Sequence, residues 1–140
     1  MIVVDSNIIA YLHLLGPRLE QARRLFREDA QWAAPRLWRS ELRNVLTLYV
    51  RKGLLPLAAA QAIMDEALLL MAGREYDVAS SEVLRLAASS SCSAYDCEFV
   101  ALAQDLGVPL VTVDQQVLGA FPQVAVSPDT YLASRSANGG

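Results

Sequence analysis

Short apolar segments, two of which end on an aspartate, alternate along this chain with helical segments, and this alternation indicates the fold class. The first such segment, IVVD, ends at Asp5, and a later one, PLVTVD, ends at Asp114. Continuous apolar runs of this length are typical of strands buried on both faces. Strands that alternate with helices predict an α/β fold in which helices cover a short, mainly parallel central sheet.

Capping residues and helical periodicity place the helices between these strands. Ser6 and Asn7 are candidate caps for a helix from about Ile8 to Leu15, and Ser93 starts a helix that continues to about Leu106. Further helices are predicted over about 19–29, 37–51, 57–72 and 116–120, and after Ser80 or Ser81, with extended segments at 32–35, 76–78 and 123–127. The helices at 37–51 and 57–72 are joined by a tight turn, which predicts an antiparallel hairpin.

The length of 140 residues is that of one domain with a substantial core. We expect a single domain over residues 1–132 and a flexible tail over residues 133–140, because SRSANGG at the end has alanine as its one apolar residue. The most apolar stretch, 54–72, contains Asp65 and Glu66, which argues against a membrane-spanning helix. The strand-like N-terminus and a count of two cysteines lead us to expect a cytoplasmic protein without a disulfide framework.

Charge is distributed unevenly along the chain. The net charge of −3 argues against a protein that coats nucleic acid through its overall charge. Residues 1–52 nevertheless hold nine Lys and Arg against five acids, whereas residues 53–140 hold three against ten. Arginine suits phosphate recognition, although solvated helix faces alone explain these arginines more simply.

Four acids stand where this fold would gather side chains: Asp5, Glu41, Asp96 and Asp114. The carboxyl ends of parallel strands border the ligand crevice, so Asp5 and Asp114 should face each other. Glu41 lies in an apolar helical segment, where an unpaired carboxylate is costly to bury. A divalent cation would relieve the repulsion within such a group. Taken singly, Asp5 and Asp114 are equally explained as helix caps, and Asp96 better so, because it follows Ser93 in a capping-box pattern.

Three segments in this order and spacing resemble the PIN-domain family, and in particular the VapC-type toxin ribonucleases of bacterial toxin-antitoxin pairs: VVDSNIIAYL, SELRNVL and SAYDCEFVALAQDLGVPLVTVD. The resemblance covers the chain through about residue 127 and implies a three-layer α/β/α fold. It implies that one or two Mg²⁺ or Mn²⁺ ions are bound by Asp5, Glu41, Asp96 and Asp114. The resemblance also implies that Ser6, Asn7 and Thr112 are supporting residues of this site. Many relatives have a further acid shortly after the last one, but here Gln115 and Gln116 follow, which leaves the number of ions open.

The activity that this resemblance implies is hydrolysis of single-stranded RNA, leaving 5′-phosphate and 3′-hydroxyl ends. A ring of acids would otherwise repel RNA, so Arg39 and Arg43 are candidate contacts to its phosphate backbone. The implied partners are a cognate antitoxin protein and a second copy of the chain in a homodimer. The apolar hairpin at 37–72 is the candidate surface for either contact.

The residues leave two alternative functions open. A catalytically silent PIN-like domain would serve as an RNA-binding or scaffold module. An aspartate after an apolar strand also serves as the nucleophile of phosphoaspartate phosphatases or the acceptor of receiver domains. The second alternative is less favoured, because Asn7 stands where haloacid-dehalogenase-type phosphatases have a second aspartate.

Overall fold

Helices flank a five-stranded sheet in the computed structural model, which describes residues 1–139. The elements in chain order are β1 (Ile2–Val4), α1 (Ser6–His13), α2 (Leu19–Glu28), β2 (Trp32–Pro35), α3 (Leu37–Arg51), α4 (Leu57–Met71), β3 (Glu75–Tyr76), α5 (Ser80–Ala88), α6 (Ala94–Leu106), β4 (Leu110–Val111), α7 (Gln115–Ala120), β5 (Ala125–Val126) and α8 (Pro128–Gly139). The strands lie in the order β3-β2-β1-β4-β5, and each neighbouring pair is parallel. The predicted α/β fold with a parallel sheet is confirmed.

Strand β1 lies at the centre of the sheet. Val3 pairs with Ala33 of β2 on one side and with Leu110 of β4 on the other. All three residues of β1 are buried, as a strand covered on both faces requires. Because the strands run in one direction, the residues that follow β1 and β4 meet at the same edge of the sheet.

The core holds this edge in place. Helix α6 packs on β1, β2 and β4, and its buried residues include Phe99 and Val100. Trp32 and Trp38 are the largest fully buried side chains, and Trp38 anchors the start of α3. Gly107 ends α6 with a φ of 66°, a left-handed conformation that glycine adopts at little cost. The helices that carry candidate site residues are therefore fixed at their packed faces.

Helix boundaries agree with the sequence predictions to within about two residues, with three corrections. Helix α1 begins at Ser6, and Asp5 caps it instead of Ser6 or Asn7. Helix α5 follows Ala79 without a side-chain cap, although a serine cap is predicted there. Within residues 1–139, none of the helices combines the length and apolar character that crossing a bilayer requires.

Helix α8 is the third correction, because the sequence pattern predicts no helix after residue 127. Tyr131 and Leu132 are buried in the core, and α8 contacts α2. Two adjacent apolar residues are too few to give a helical period, so the pattern carried little signal. The helix covers residues 133–139 of the expected tail, and residue 140 lies outside the described residues. The flexibility of the tail stays a prediction.

Candidate active site

A cleft of about 390 Å³ opens at the carboxyl ends of β1 and β4. All four acids singled out in the sequence line it: Asp5, Glu41, Asp96 and Asp114. The three supporting residues line it as well: Ser6, Asn7 and Thr112. These side chains come from four different parts of the chain, so the fold brings together residues up to about a hundred positions apart.

Asp5 joins the end of β1 to the start of α1. Its Oδ1 accepts a hydrogen bond from the backbone N–H of Ile8 at 3.0 Å, and its Oδ2 accepts one from the hydroxyl of Thr112. Burial raises the pKa of Asp5 from 3.8 to about 6, the hydrogen bonds oppose this rise, and the charge of Asp114 adds to it. The carboxylate form of Asp5 is therefore costly without a compensating positive charge.

Thr112 connects two of the acids. Its hydroxyl donates to Asp5, and the same oxygen accepts a hydrogen bond from the backbone N–H of Asp114 at 3.1 Å. Asp114 in turn caps α7, because its Oδ1 accepts from the backbone N–H of Val117 at 3.0 Å. Since Thr112 is 1% exposed, this hydroxyl fixes the relative positions of both aspartates at the floor of the cleft.

Glu41 is held by Ser6. The buried Ser6 hydroxyl donates to Glu41 Oε1 at 2.7 Å, which links α1 to the second turn of α3. Burial raises the pKa of Glu41, the hydrogen bond from Ser6 lowers it, and the nearby charges of Asp96 and Glu98 raise it. The Glu41 carboxylate thus has a hydroxyl partner and two acidic neighbours.

Asp96 lies in the first turn of α6, as predicted, and Ser93 caps that helix. The cap uses the backbone N–H of Asp96, which donates to Ser93 Oγ at 3.1 Å. This hydrogen bond does not involve the Asp96 carboxylate. The capping role and a role in the cleft are therefore compatible.

The chemistry of the cleft suits a hard divalent cation. Its acids supply carboxylate oxygens, the ligand type that Mg²⁺ and Mn²⁺ prefer. None of the lining residues found in the described part of the chain is Lys, Arg or His, so no side-chain cation offsets these acids within the cleft. Among residues 1–139, however, no three acidic, histidine or cysteine side chains already form a group able to hold an ion. The donor set therefore fits a cation, and binding would have to draw the carboxylates closer.

Arg39 and Arg43 do not line the cleft. The Nε and Nη2 of Arg39 both donate to the carboxylate of Glu75, each at 2.6 Å, and Trp38 Nε1 donates to the same group at 3.0 Å. Arg43 donates to the backbone carbonyl of Arg39 and to Ser40 Oγ, each at 3.1 Å. Arg39 thus links α3 to β3. The contacts of Arg39 and Arg43 with RNA stay predictions.

Several lining residues were not singled out in the sequence. One face of α3 carries Glu41 together with Leu37, four residues before it, and Asn44 and Val45, three and four residues after it. The helical period, counted from Glu41, would have found them. Tyr95 also lines the cleft, and its position directly before Asp96 was the one available signal.

Comparison with known proteins places this geometry in a family. The sequence model of the PIN domain matches residues 2–125. Ribonuclease VapC3 of Pyrobaculum aerophilum is 30% identical over 124 residues, which are 86% of this chain and 95% of that protein. Both the family match and this relative therefore span most of the chain.

Solved structures agree on the fold. The crystal structure of PAE2754 from Pyrobaculum aerophilum superposes with a TM-score of 0.76 at 23% identity, and covers 97% of this chain and 96% of that one. The crystal structure of FitAcB from Neisseria gonorrhoeae gives a TM-score of 0.73 at 18% identity, over 91% of this chain and 98% of that one. At these identities the likeness concerns the fold alone. Together with the sequence matches, it shows that this chain belongs to the PIN-domain family as a VapC-type member.

Proposed function

We propose that the protein is a metal-dependent endoribonuclease that cleaves single-stranded RNA and acts as the toxin of a toxin-antitoxin pair. The main support for the proposal is that four acids line one cleft: Asp5, Glu41, Asp96 and Asp114. Within residues 1–139, no Lys, Arg or His lines this cleft to neutralise their charge. The similarity to Ribonuclease VapC3, over nearly the whole of that protein, supports the reaction class.

The chemistry follows from what the acids can hold. A bound Mg²⁺ or Mn²⁺ would supply a Lewis acid for the phosphate and lower the pKa of water at the site. The four acids would hold one or two such ions, while Thr112 and Ser6 keep Asp5 and Glu41 in position. One of the acids of the cleft would take the proton from the attacking water. Water would add to phosphorus and the bond to the 3′-oxygen would break, which leaves 5′-phosphate and 3′-hydroxyl ends.

The proposal includes a cognate antitoxin, a homodimer and a cytoplasmic location. The α3–α4 hairpin supports a protein contact, because an apolar groove of about 450 Å³ runs along it, lined by Leu46, Val50, Leu57, Ala60 and Met64 among others. Leu57 in this groove is 62% exposed, so a bound partner would bury apolar surface there. Sedimentation of the isolated chain tests the dimer, and a monomer at high concentration contradicts it.

Incubation with a labelled single-stranded RNA tests the activity. We expect cleavage in Mg²⁺, no cleavage when EDTA is in excess, and recovery when Mg²⁺ is restored. The products should carry 5′-phosphate and 3′-hydroxyl ends, which a 5′-phosphate-dependent exonuclease and a 3′-end ligation detect. Products ending in a 2′,3′-cyclic phosphate would contradict the mechanism, because they form by attack of the RNA 2′-hydroxyl instead of water.

The silent-module alternative predicts a different outcome of the same experiment. Such a domain would bind the RNA but leave it intact in both Mg²⁺ and Mn²⁺. The phosphoaspartate alternative would show no RNA cleavage and would incorporate phosphate from a small phosphodonor into the protein.

A further inference from the structure

Tyr95 is an exposed aromatic residue at the opening of the acidic cleft. Its side chain is 64% exposed, although it lines the same cleft as the four acids. It directly precedes Asp96 in the first turn of α6. The next residues of this helix, Cys97 and Phe99, are 0% and 4% exposed, so the turn that carries Tyr95 is anchored in the core.

The charge of the cleft limits how it can hold RNA. Within the described residues, the lining of the cleft offers carboxylates but no Lys or Arg for the phosphate backbone. A neutral aromatic face binds a nucleobase by stacking, and this attraction does not depend on neutralising charge. Stacking needs bases that are free of a duplex, which matches a single-stranded substrate.

We propose that Tyr95 is a substrate-binding residue whose ring stacks on a nucleobase beside the phosphate that is cleaved. This inference rests on the proposed ribonuclease function and adds a contact for its substrate. Tyr95 and Asp96 line the same cleft, so the ring can contact a base while a cation held at Asp96 would contact the neighbouring phosphate. A ring at this place also explains why a large aromatic side chain is left exposed beside the acids.

The experiment compares three variants with the wild-type chain. Tyr95→Leu removes the ring but keeps an apolar side chain, and Tyr95→Phe keeps the ring but removes the hydroxyl. Leu84→Ala is the control, because Leu84 is an apolar residue on α5, 65% exposed, that lies outside both the cleft and the 37–72 hairpin. Each protein is measured for kcat and KM in Mg²⁺ with a short single-stranded RNA. Binding is measured in EDTA with the same RNA carrying 2-aminopurine, whose fluorescence falls when it stacks on an aromatic ring.

We expect Tyr95→Leu to raise KM about tenfold, with a smaller change in kcat, and to lose the fluorescence quenching. Tyr95→Phe should recover most of that loss, and Leu84→Ala should behave as the wild type does. Thermal unfolding should be little changed in all three, because both positions are exposed.

Several results would overturn the inference. One is a Tyr95→Leu protein with wild-type KM and quenching while the wild type cleaves RNA, which leaves the ribonuclease function standing. Another is a Tyr95→Phe protein as weak as Tyr95→Leu, since the hydroxyl and not the ring would then make the contact. A third is unchanged RNA kinetics with a weakened dimer in sedimentation, which would make Tyr95 a protein contact. If the wild type itself neither binds nor cleaves RNA, the proposed function fails and this inference fails with it.

Discussion

Asp96→Asn is expected to lower RNA cleavage at least about 100-fold while the fold stays intact. The variant removes a carboxylate charge from the cleft but keeps the backbone N–H that donates to Ser93 Oγ, so the start of α6 is unchanged. Single-turnover cleavage in Mg²⁺ measures the loss, and circular dichroism with thermal unfolding checks the fold.

Asp105→Asn is the matched control for this loss. Asp105 lies near the end of the same helix and does not line the acidic cleft, and the substitution is the same. It should cleave RNA at the wild-type rate. An Asp96→Asn protein that cleaves as fast as the Asp105→Asn protein would remove Asp96 from the site.

Asp5→Asn is expected to change activity and stability in opposite directions. Cleavage should fall at least about 100-fold, since the variant loses a carboxylate at the centre of the cleft. The metal-free protein at pH 7 should nevertheless become more stable by about 1–3 kcal/mol, because the buried charge is removed. Asparagine Oδ1 can still accept the hydrogen bond from Ile8, so the cap of α1 is kept. The amide Nδ2 cannot accept from the Thr112 hydroxyl, and this loss offsets about 1 kcal/mol of the gain.

The pH dependence of stability distinguishes the removal of the buried Asp5 charge from a change in side-chain packing. Burial raises the pKa of Asp5 from 3.8 to about 6 in the folded state. The folded protein therefore keeps a proton on Asp5 that the unfolded chain has already released. The contribution of Asp5 to stability is fully present below about pH 4 and is lost as the pH rises through about 6.

Urea unfolding in EDTA at pH 4.5 and pH 7 measures this effect. The gain in free energy of unfolding from Asp5→Asn should be larger at pH 7 than at pH 4.5. Thr47→Val is a suitable reference, because Thr47 lies outside the cleft and its change should give the same small difference at both values. A change in the free energy of unfolding from Asp5→Asn that is the same at pH 4.5 and pH 7 would show that the Asp5 carboxylate does not oppose folding.

Sequence patterns predicted the positions of the acids better than their contacts. Asp5 and Asp114 end apolar segments, and parallel strands place such ends together, so their meeting follows from local signals and one rule of topology. The hydrogen bond between Ser6 and Glu41 spans 35 positions, and no local pattern reports it. Serine is a common helix cap, so the sequence favours Ser6, but Asp5 stands one residue earlier and accepts from the N–H of Ile8.

Contacts between distant residues also explain why the sequence pattern does not report the ion pair of Arg39. In the sequence Arg39 stands near Glu41, which makes it a candidate RNA contact. In the fold, β3 pairs with β2 and brings Glu75 to Arg39, 36 positions away, where the carboxylate accepts two hydrogen bonds from the guanidinium. Helix α8 was missed for a related reason, since its packing on α2 depends on distant residues and its own apolar pattern is short.

We expect the four acids to bind a divalent cation together. Calorimetric titration of Mn²⁺ into the metal-free protein measures this binding, with wild type, Asp96→Asn and Asp105→Asn compared at pH 7. The wild type and Asp105→Asn should bind one or two ions, and Asp96→Asn should bind them much more weakly. A wild-type protein that binds no Mn²⁺, or an Asp96→Asn protein that binds it with wild-type affinity, would contradict a shared metal site.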